Sequence, residues 1–98
     1  MRIFLTGATG YVGSTVLDAL LRGSHDVTAL VRDPEKAERV SLRGVQPIVG
    51  DLSAPESYAP AAEGCDAIIH TAFEPSKRGP EVDRQAVDVL LGAAIRHA

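Results

Sequence analysis

The sequence predicts an α/β domain built as a doubly wound parallel sheet with helices on both faces. Two observations carry that expectation. Short apolar runs alternate with stretches whose apolar residues recur every three or four positions. The first run leads straight into a glycine-rich turn, Thr6-Gly7-Ala8-Thr9-Gly10-Tyr11-Val12-Gly13, which opens a helix. Strand–helix alternation of this kind specifies parallel strands joined by crossovers, with helices on either side. A chain of 98 residues holds one core but not both halves of such a sheet. The expectation is therefore a truncated half-fold with strand order 3-2-1-4.

The elements follow in order. Arg2–Thr6 reads as the first strand, continuously apolar as in a sheet buried on both faces. Tyr11–Arg22 reads as a helix, with Val12, Val16, Leu17, Leu20 and Leu21 forming one apolar stripe, ended by Gly23-Ser24. Residues 27–31 form the second strand. Pro34 suits the first turn of a helix over 35–43 that Gly44 stops. Residues 45–49 form the third strand, and Pro47 marks it as an edge. Ser53 reads as the cap of a short helix, with Glu56 three residues on, ending before Gly64. Residues 66–71 form the fourth strand around Ala67-Ile68-Ile69, 73–80 a polar loop, and 81–97 the last helix. No repeat or inter-domain linker interrupts this order.

The glycines point to a ligand. Gly7 lets the chain turn sharply off the strand. Gly10 leaves room for the backbone to approach a phosphate. Gly13 removes a side chain where the helix crosses the strand. The N–H groups of the first helical turn, near Gly10, Tyr11 and Val12, then face an anion with the helix dipole behind them. Strand, turn, helix and a second strand at this spacing form the layout of a dinucleotide pyrophosphate loop. In such sheets the ligand lies beyond the carboxyl ends of the strands, where the order reverses. That crevice is lined by the loop, Arg32, the segment 50–52 and the segment 70–73.

Composition excludes other classes. A formal net charge of −3 gives no footprint for nucleic acid or an anionic membrane. No stretch reaches the length of a membrane span. The N-terminus has no long apolar core before its first glycine, so no secretory signal is expected and a cytoplasmic location is the default. The one cysteine, Cys65, reads as a small buried residue. Histidines 25, 70 and 97 show no metal-ligand spacing, and no metal is expected.

The chain resembles the extended and atypical short-chain dehydrogenases/reductases, the NAD(P)-dependent epimerases, dehydratases and reductases with a Rossmann-type sheet. Three motifs carry the likeness across essentially all 98 residues. Thr6 to Gly13 matches the TGxxGxxG loop. Gly50-Asp51-Leu52 matches the acidic segment after the third strand, which in the family contacts adenine. Asp66-Ala67-Ile68-Ile69-His70-Thr71-Ala72 matches the fourth-strand segment bordering the adenine ribose and the nicotinamide side. The resemblance implies a cofactor site of Gly7, Thr9, Gly10, Tyr11, Val12, Gly13, Arg32, Asp51, Leu52, His70, Thr71 and Ala72.

Residues 31–33 bear on the choice of dinucleotide. NAD-preferring relatives carry an acidic residue at the end of strand two for the ribose 2′-OH. Val31 stands there, followed by Arg32, whose guanidinium suits a 2′-phosphate. Lys36 and Arg39 add positive potential. Asp33 either reaches the ribose or starts the helix ahead of Pro34. NADP is the expected cofactor, with NAD the alternative.

Catalytic groups are not expected in this chain. The family's proton transfer uses a Tyr-x-x-x-Lys pair. Tyr11 is followed four residues on by Thr15, and Tyr58 by Ala62. The sequence thus reads as the cofactor-binding half of an oxidoreductase, epimerase or dehydratase acting on a small molecule it does not identify, inactive by itself. The alternative is a non-catalytic nucleotide-binding sensor. Ending at Arg96-His97-Ala98 suits a fragment better than a closed sensor fold. Self-association, as a homodimer or larger, is also expected, through the last helix, the unpaired edge of strand four, or both. The last helix has one apolar face at Val82, Ala86, Leu90 and Ala93 and a second at Val87, Leu91 and Ala94. The family's dimers commonly use this helix.

Overall fold

The computed structural model describes residues 1–72 and 78–97. Its elements are β1 (Arg2–Thr6), α1 (Tyr11–Arg22), β2 (Asp26–Val31), α2 (Pro34–Ser41), β3 (Gln46–Val49), a 3-10 turn (Pro55–Ser57), α3 (Ala59–Glu63), β4 (Ala67–His70) and α4 (Gly79–His97). The four strands form one sheet in the order β3-β2-β1-β4, as expected. Every pairing is parallel, with Thr6 opposite Leu30 on one side and His70 on the other.

Strand alternation sorts the core into two halves. Phe4, Leu30, Ile48 and Ile68 face α3 and α4, where Tyr58, Ala62, Val82, Ala86, Leu90 and Ala93 meet them. Leu5, Ala29, Val31 and Ile69 face α1 and α2 and pack with Leu17, Val40 and Val45. Phe4 and Leu5 are both fully buried on opposite faces. Burying each such side chain contributes about 1.5–3 kcal/mol. On α1, Gly13 and Leu17 are buried and Val16, Leu20 and Leu21 flank them, whereas Val12 is exposed.

Hydrogen bonds move several boundaries from their expected places. Helix α2 stops at Ser41 because Gly44 turns with φ +82°, and the Val45 N–H bonds to the Val40 carbonyl rather than to a strand. Gly79 and Pro80, expected in a polar loop, belong to α4. Pro80 sits in the first turn, where its missing N–H costs the helix no bond. Residues 73–77 of that expected loop lie outside the described residues.

The expected cap at Ser53 is corrected. The Ser53 N–H and hydroxyl both donate to Asp51 Oδ1, at 2.8 and 2.7 Å. With its hydroxyl engaged backwards, Ser53 starts no helix. The chain instead makes the 3-10 turn and the five-residue α3, each with a proline in its first turn.

Tyr58, one of the two tyrosines, is a core residue. It is fully exclusion-packed, and its hydroxyl donates to the Leu52 carbonyl at 3.0 Å. Burial pushes its phenol above the usual range, with the charges of Asp51 and Glu56 adding to the effect. Replacing Tyr58 by Phe removes the donor from a buried carbonyl and should lower stability by about 1–2 kcal/mol. Urea unfolding should show a lower midpoint at unchanged slope. An unchanged midpoint would deny that bond a stabilising role.

Candidate functional site

The turn after β1 is shaped by what cannot fit there. Gly7 has φ +77°, a conformation costly for any residue with a side chain. A Cβ on Gly7 would overlap Thr71 Oγ1 and come within 2.8 Å of the Ala72 N. A Cβ on Gly13 would overlap the Gly7 carbonyl and lie 2.8 Å from Thr71 Oγ1. The third glycine therefore makes room for the loop's own carbonyl and for the end of β4, rather than for β1 itself. Gly10 caps α1 without a side-chain hydrogen bond and carries the turn through its N–H to the Gly7 carbonyl at 3.0 Å.

These constraints leave a cleft of about 370 Å³ at the carboxyl ends of the strands. Gly7, Thr9, Gly10, Tyr11, Val12 and Gly13 form its floor, and Thr71 and Ala72 one wall. Val31, Arg32 and Lys36 form the other. Tyr11 is 95% exposed and stands at the rim. The cleft combines the first turn of a twelve-residue helix, a cradle that side chains would fill, and two cations. That donor set fits an extended anionic ligand such as a dinucleotide.

Nine of the twelve expected site residues thus lie together in the cleft. The other three lie elsewhere. Leu52 turns into the core beside Tyr58, with only its backbone near the strand ends. Asp51 sits at the end of β3, with Oδ2 3.5 Å from the Arg32 guanidinium. His70 falls on the α4 face because it shares strand parity with Ile68. Its ring meets Thr6 and Asp83. Lys36 is a cleft residue outside the expected set, although its place in the first turn after Arg32 signalled it.

The charges around β2 are also sorted. Asp33 caps α2, accepting from the Lys36 N–H at 2.8 Å, so its carboxylate serves the helix. Arg39 pairs with Glu35 at 3.4 Å, and Arg43 pairs with Asp18. Cys65 is buried, which pushes its thiol above the usual range, and its Sγ lies 3.5 Å from the Ala61 carbonyl. No helix among the described residues is long and apolar enough to cross a membrane.

Comparison with known proteins agrees with the cleft. A family model described as NAD(P)H-binding matches residues 7–98. The chain is 39% identical over 90 residues to 4-hydroxy-2-methyl-3-oxo-4-farnesyl-3,4-dihydroquinoline-1-oxide ketoreductase of Stigmatella aurantiaca, covering 92% of this chain and 27% of that one. It is 36% identical over 104 residues to vestitone reductase of Medicago sativa, covering 93% of this chain and 32% of that one. Among solved structures, ChuY, an anaerobillin reductase from Escherichia coli O157:H7, superposes with a TM-score of 0.80 at 28% identity, over 96% of this chain and 47% of that one. The chain therefore spans about a third or less of these two curated relatives.

Two outcomes follow from this geometry. Gly13→Ala forces a Cβ into the Gly7 carbonyl. It should cost about 1–3 kcal/mol or more and displace the loop, read as a lower denaturation midpoint. Asp51 concerns pH. Hydrogen bonds from the Ser53 N–H and hydroxyl, with the charge of Arg32 adding, hold its carboxyl below the usual range. A depressed folded-state pKa gives stability that is present above the unfolded value of about 3.9 and lost as pH falls through the folded one. Melting curves of Asp51→Asn should therefore lose less stability below about pH 4 than the wild type does. Parallel acid profiles would contradict that assignment.

Proposed function

Because the chain belongs to the NAD(P)H-binding family whose model spans residues 7–98, we propose that it is the cofactor-binding portion of a reductase or epimerase of the short-chain dehydrogenase/reductase type, with a preference for NADP. The observation that carries the preference is the wall at the end of β2. Arg32 and Lys36 line the cleft there, and Asp33, the acid next to Arg32, gives its Oδ1 to the cap of α2. A guanidinium offers a forked set of donors suited to phosphate oxygens. The ammonium of Lys36 adds charge from the first turn of α2.

Bound NADPH supplies hydride chemistry; the residues of this chain bind and orient it. The first-turn N–H groups of α1 hold the pyrophosphate at residues 10–12. Glycines 7 and 13 let the backbone close on it. Thr71 and Ala72 bound the cleft on the β4 side. Proton transfer is assigned to no residue here, since neither tyrosine has a lysine four positions on. Tyr58 is moreover buried with its hydroxyl engaged. The carbonyl or sugar substrate belongs to the rest of the catalytic unit.

Self-association is part of the same reading. One face of α4 is buried against the sheet, while Val87, Leu91 and Ile95 remain 36%, 56% and 74% exposed. A second copy is the proposed cover for that face, and light scattering showing a monomer at high concentration would remove it.

Calorimetric titration tests the cofactor preference. Arg32→Ala should weaken NADPH binding by about 1.5–3 kcal/mol, the range for hydrogen bonds to charged groups, and NADH binding far less. Equal losses for the two dinucleotides would take the discriminating role from Arg32. No binding of either to the wild type would overturn the proposal as a whole.

A further inference from the structure

The hydrogen bonds around Thr6 form a chain in which every atom's capacity is used. Thr6 is fully buried at the end of β1. Its Oγ1 accepts the Ala72 N–H at 3.2 Å and the Thr71 N–H at 3.0 Å, the latter shared with the Thr6 carbonyl at 3.3 Å, which also accepts from the Thr71 hydroxyl at 2.6 Å. A hydroxyl has two lone pairs and one proton, so both acceptor sites are filled and only the proton remains to be placed. The acceptor for it is His70 Nδ1, 2.6 Å away. Nδ1 must then be the unprotonated ring nitrogen. The proton sits on Nε2, which donates to Asp83 Oδ1 at 2.8 Å.

We propose that His70 is a positioning residue, held by Asp83 of α4 as the Nε2–H tautomer, which through Thr6 fixes the Thr71–Ala72 wall of the cleft. The chain runs one way, from two backbone N–H groups through a hydroxyl and an imidazole to a carboxylate. Each bond polarises the next, so the carboxylate makes Thr6 Oγ1 a better acceptor for the wall. The wall's position matters because Thr71 Oγ1 crowds the Cβ positions of both Gly7 and Gly13, and the Ala72 N that of Gly7. A shift of a few tenths of an ångström would alter the space for the ligand. The effect on binding rests on the dinucleotide reading; the relay itself does not.

Two readouts separate the two. The first is the ring-nitrogen spectrum of the wild type at neutral pH, with amide exchange at Thr71 and Ala72. The second is NADPH binding. His70 should show an unprotonated Nδ1 and a protonated Nε2. His70→Leu and Asp83→Ala should each speed exchange at Ala72 about tenfold, the ratio for loss of one well-made hydrogen bond, and at Thr71, whose N–H also has the Thr6 carbonyl, by less. Both should weaken NADPH binding. His70→Asn places an amide oxygen near the Nδ1 position and should restore slow exchange and much of the affinity. A proton on Nδ1, or exchange at 71 and 72 unchanged in both Asp83→Ala and His70→Leu, overturns the relay. Should His70→Leu fail to fold, the wild-type spectrum, Asp83→Ala and His70→Asn still decide it. Faster exchange in the two variants, together with a wild type that binds no NADPH, would uphold the relay and sink the dinucleotide reading instead.

Discussion

Three segments meet in a space that admits no side chain at two of its positions. The turn after β1, the first turn of α1 and the exit of β4 approach one another so closely that neither Gly7 nor Gly13 has room for a Cβ. Much else follows from that contact. It brings the backbone N–H groups of α1 to the floor of the cleft. It makes the β4 exit a wall of the same cleft, and it explains why β4 must pair with β1 in register, Thr6 opposite His70. A parallel sheet supplies that register through bonds spread along both strands. The turn is thus held to its shape by a sheet pairing formed some 65 residues away in sequence, as the Thr6 to Thr71 bonds record.

The same sheet divides the work of its two faces. Side chains alternate along each strand. Val31 at the end of β2 shares the α1/α2 side with Leu5, and it lines the cleft beyond the strand end. Ile68 and His70 share the α3/α4 side. Residues packed on the two faces are therefore neighbours in sequence and separated in space by parity. His70 illustrates the result: adjacent to the wall residues Thr71 and Ala72, yet engaged with a helix on the far face.

That division explains what the sequence made legible. The strand order could be read because the apolar runs and the turn chemistry between them admit few other arrangements. The glycine loop could be read because close approach leaves no substitute for glycine at positions 7 and 13. Strand and helix ends were less legible, since they depend on which of two acceptors an N–H chooses; the Val45 N–H takes the Val40 carbonyl and leaves β3 a residue shorter. Ser53 shows the same competition for a side chain, with Asp51 winning its hydroxyl. Leu52 and His70 entered the expected site by motif position, which does not say to which side a residue points; the Leu52 side chain packs in the core and the His70 ring meets α4.

The pair between Arg32 and Asp51 shows how a weak contact serves such a cleft. At 3.5 Å, with the two side chains 56% and 43% exposed, it contributes little to stability. The acid at the end of β3 holds the guanidinium at the strand ends, and such a restraint reduces the freedom a long side chain loses on binding a ligand. On the proposed NADP reading, a phosphomonoester would offer it more charge and a better-matched fork of acceptors than one shared carboxylate oxygen. Asp51 keeps its two bonds from Ser53 throughout, so its carboxylate is not left unsatisfied when Arg32 moves. A buried, fully engaged pair would give the opposite result, a cation too costly to release. On the proposed reading, the exposed ion pair orients Arg32 at the strand ends and would leave it able to turn to a phosphate.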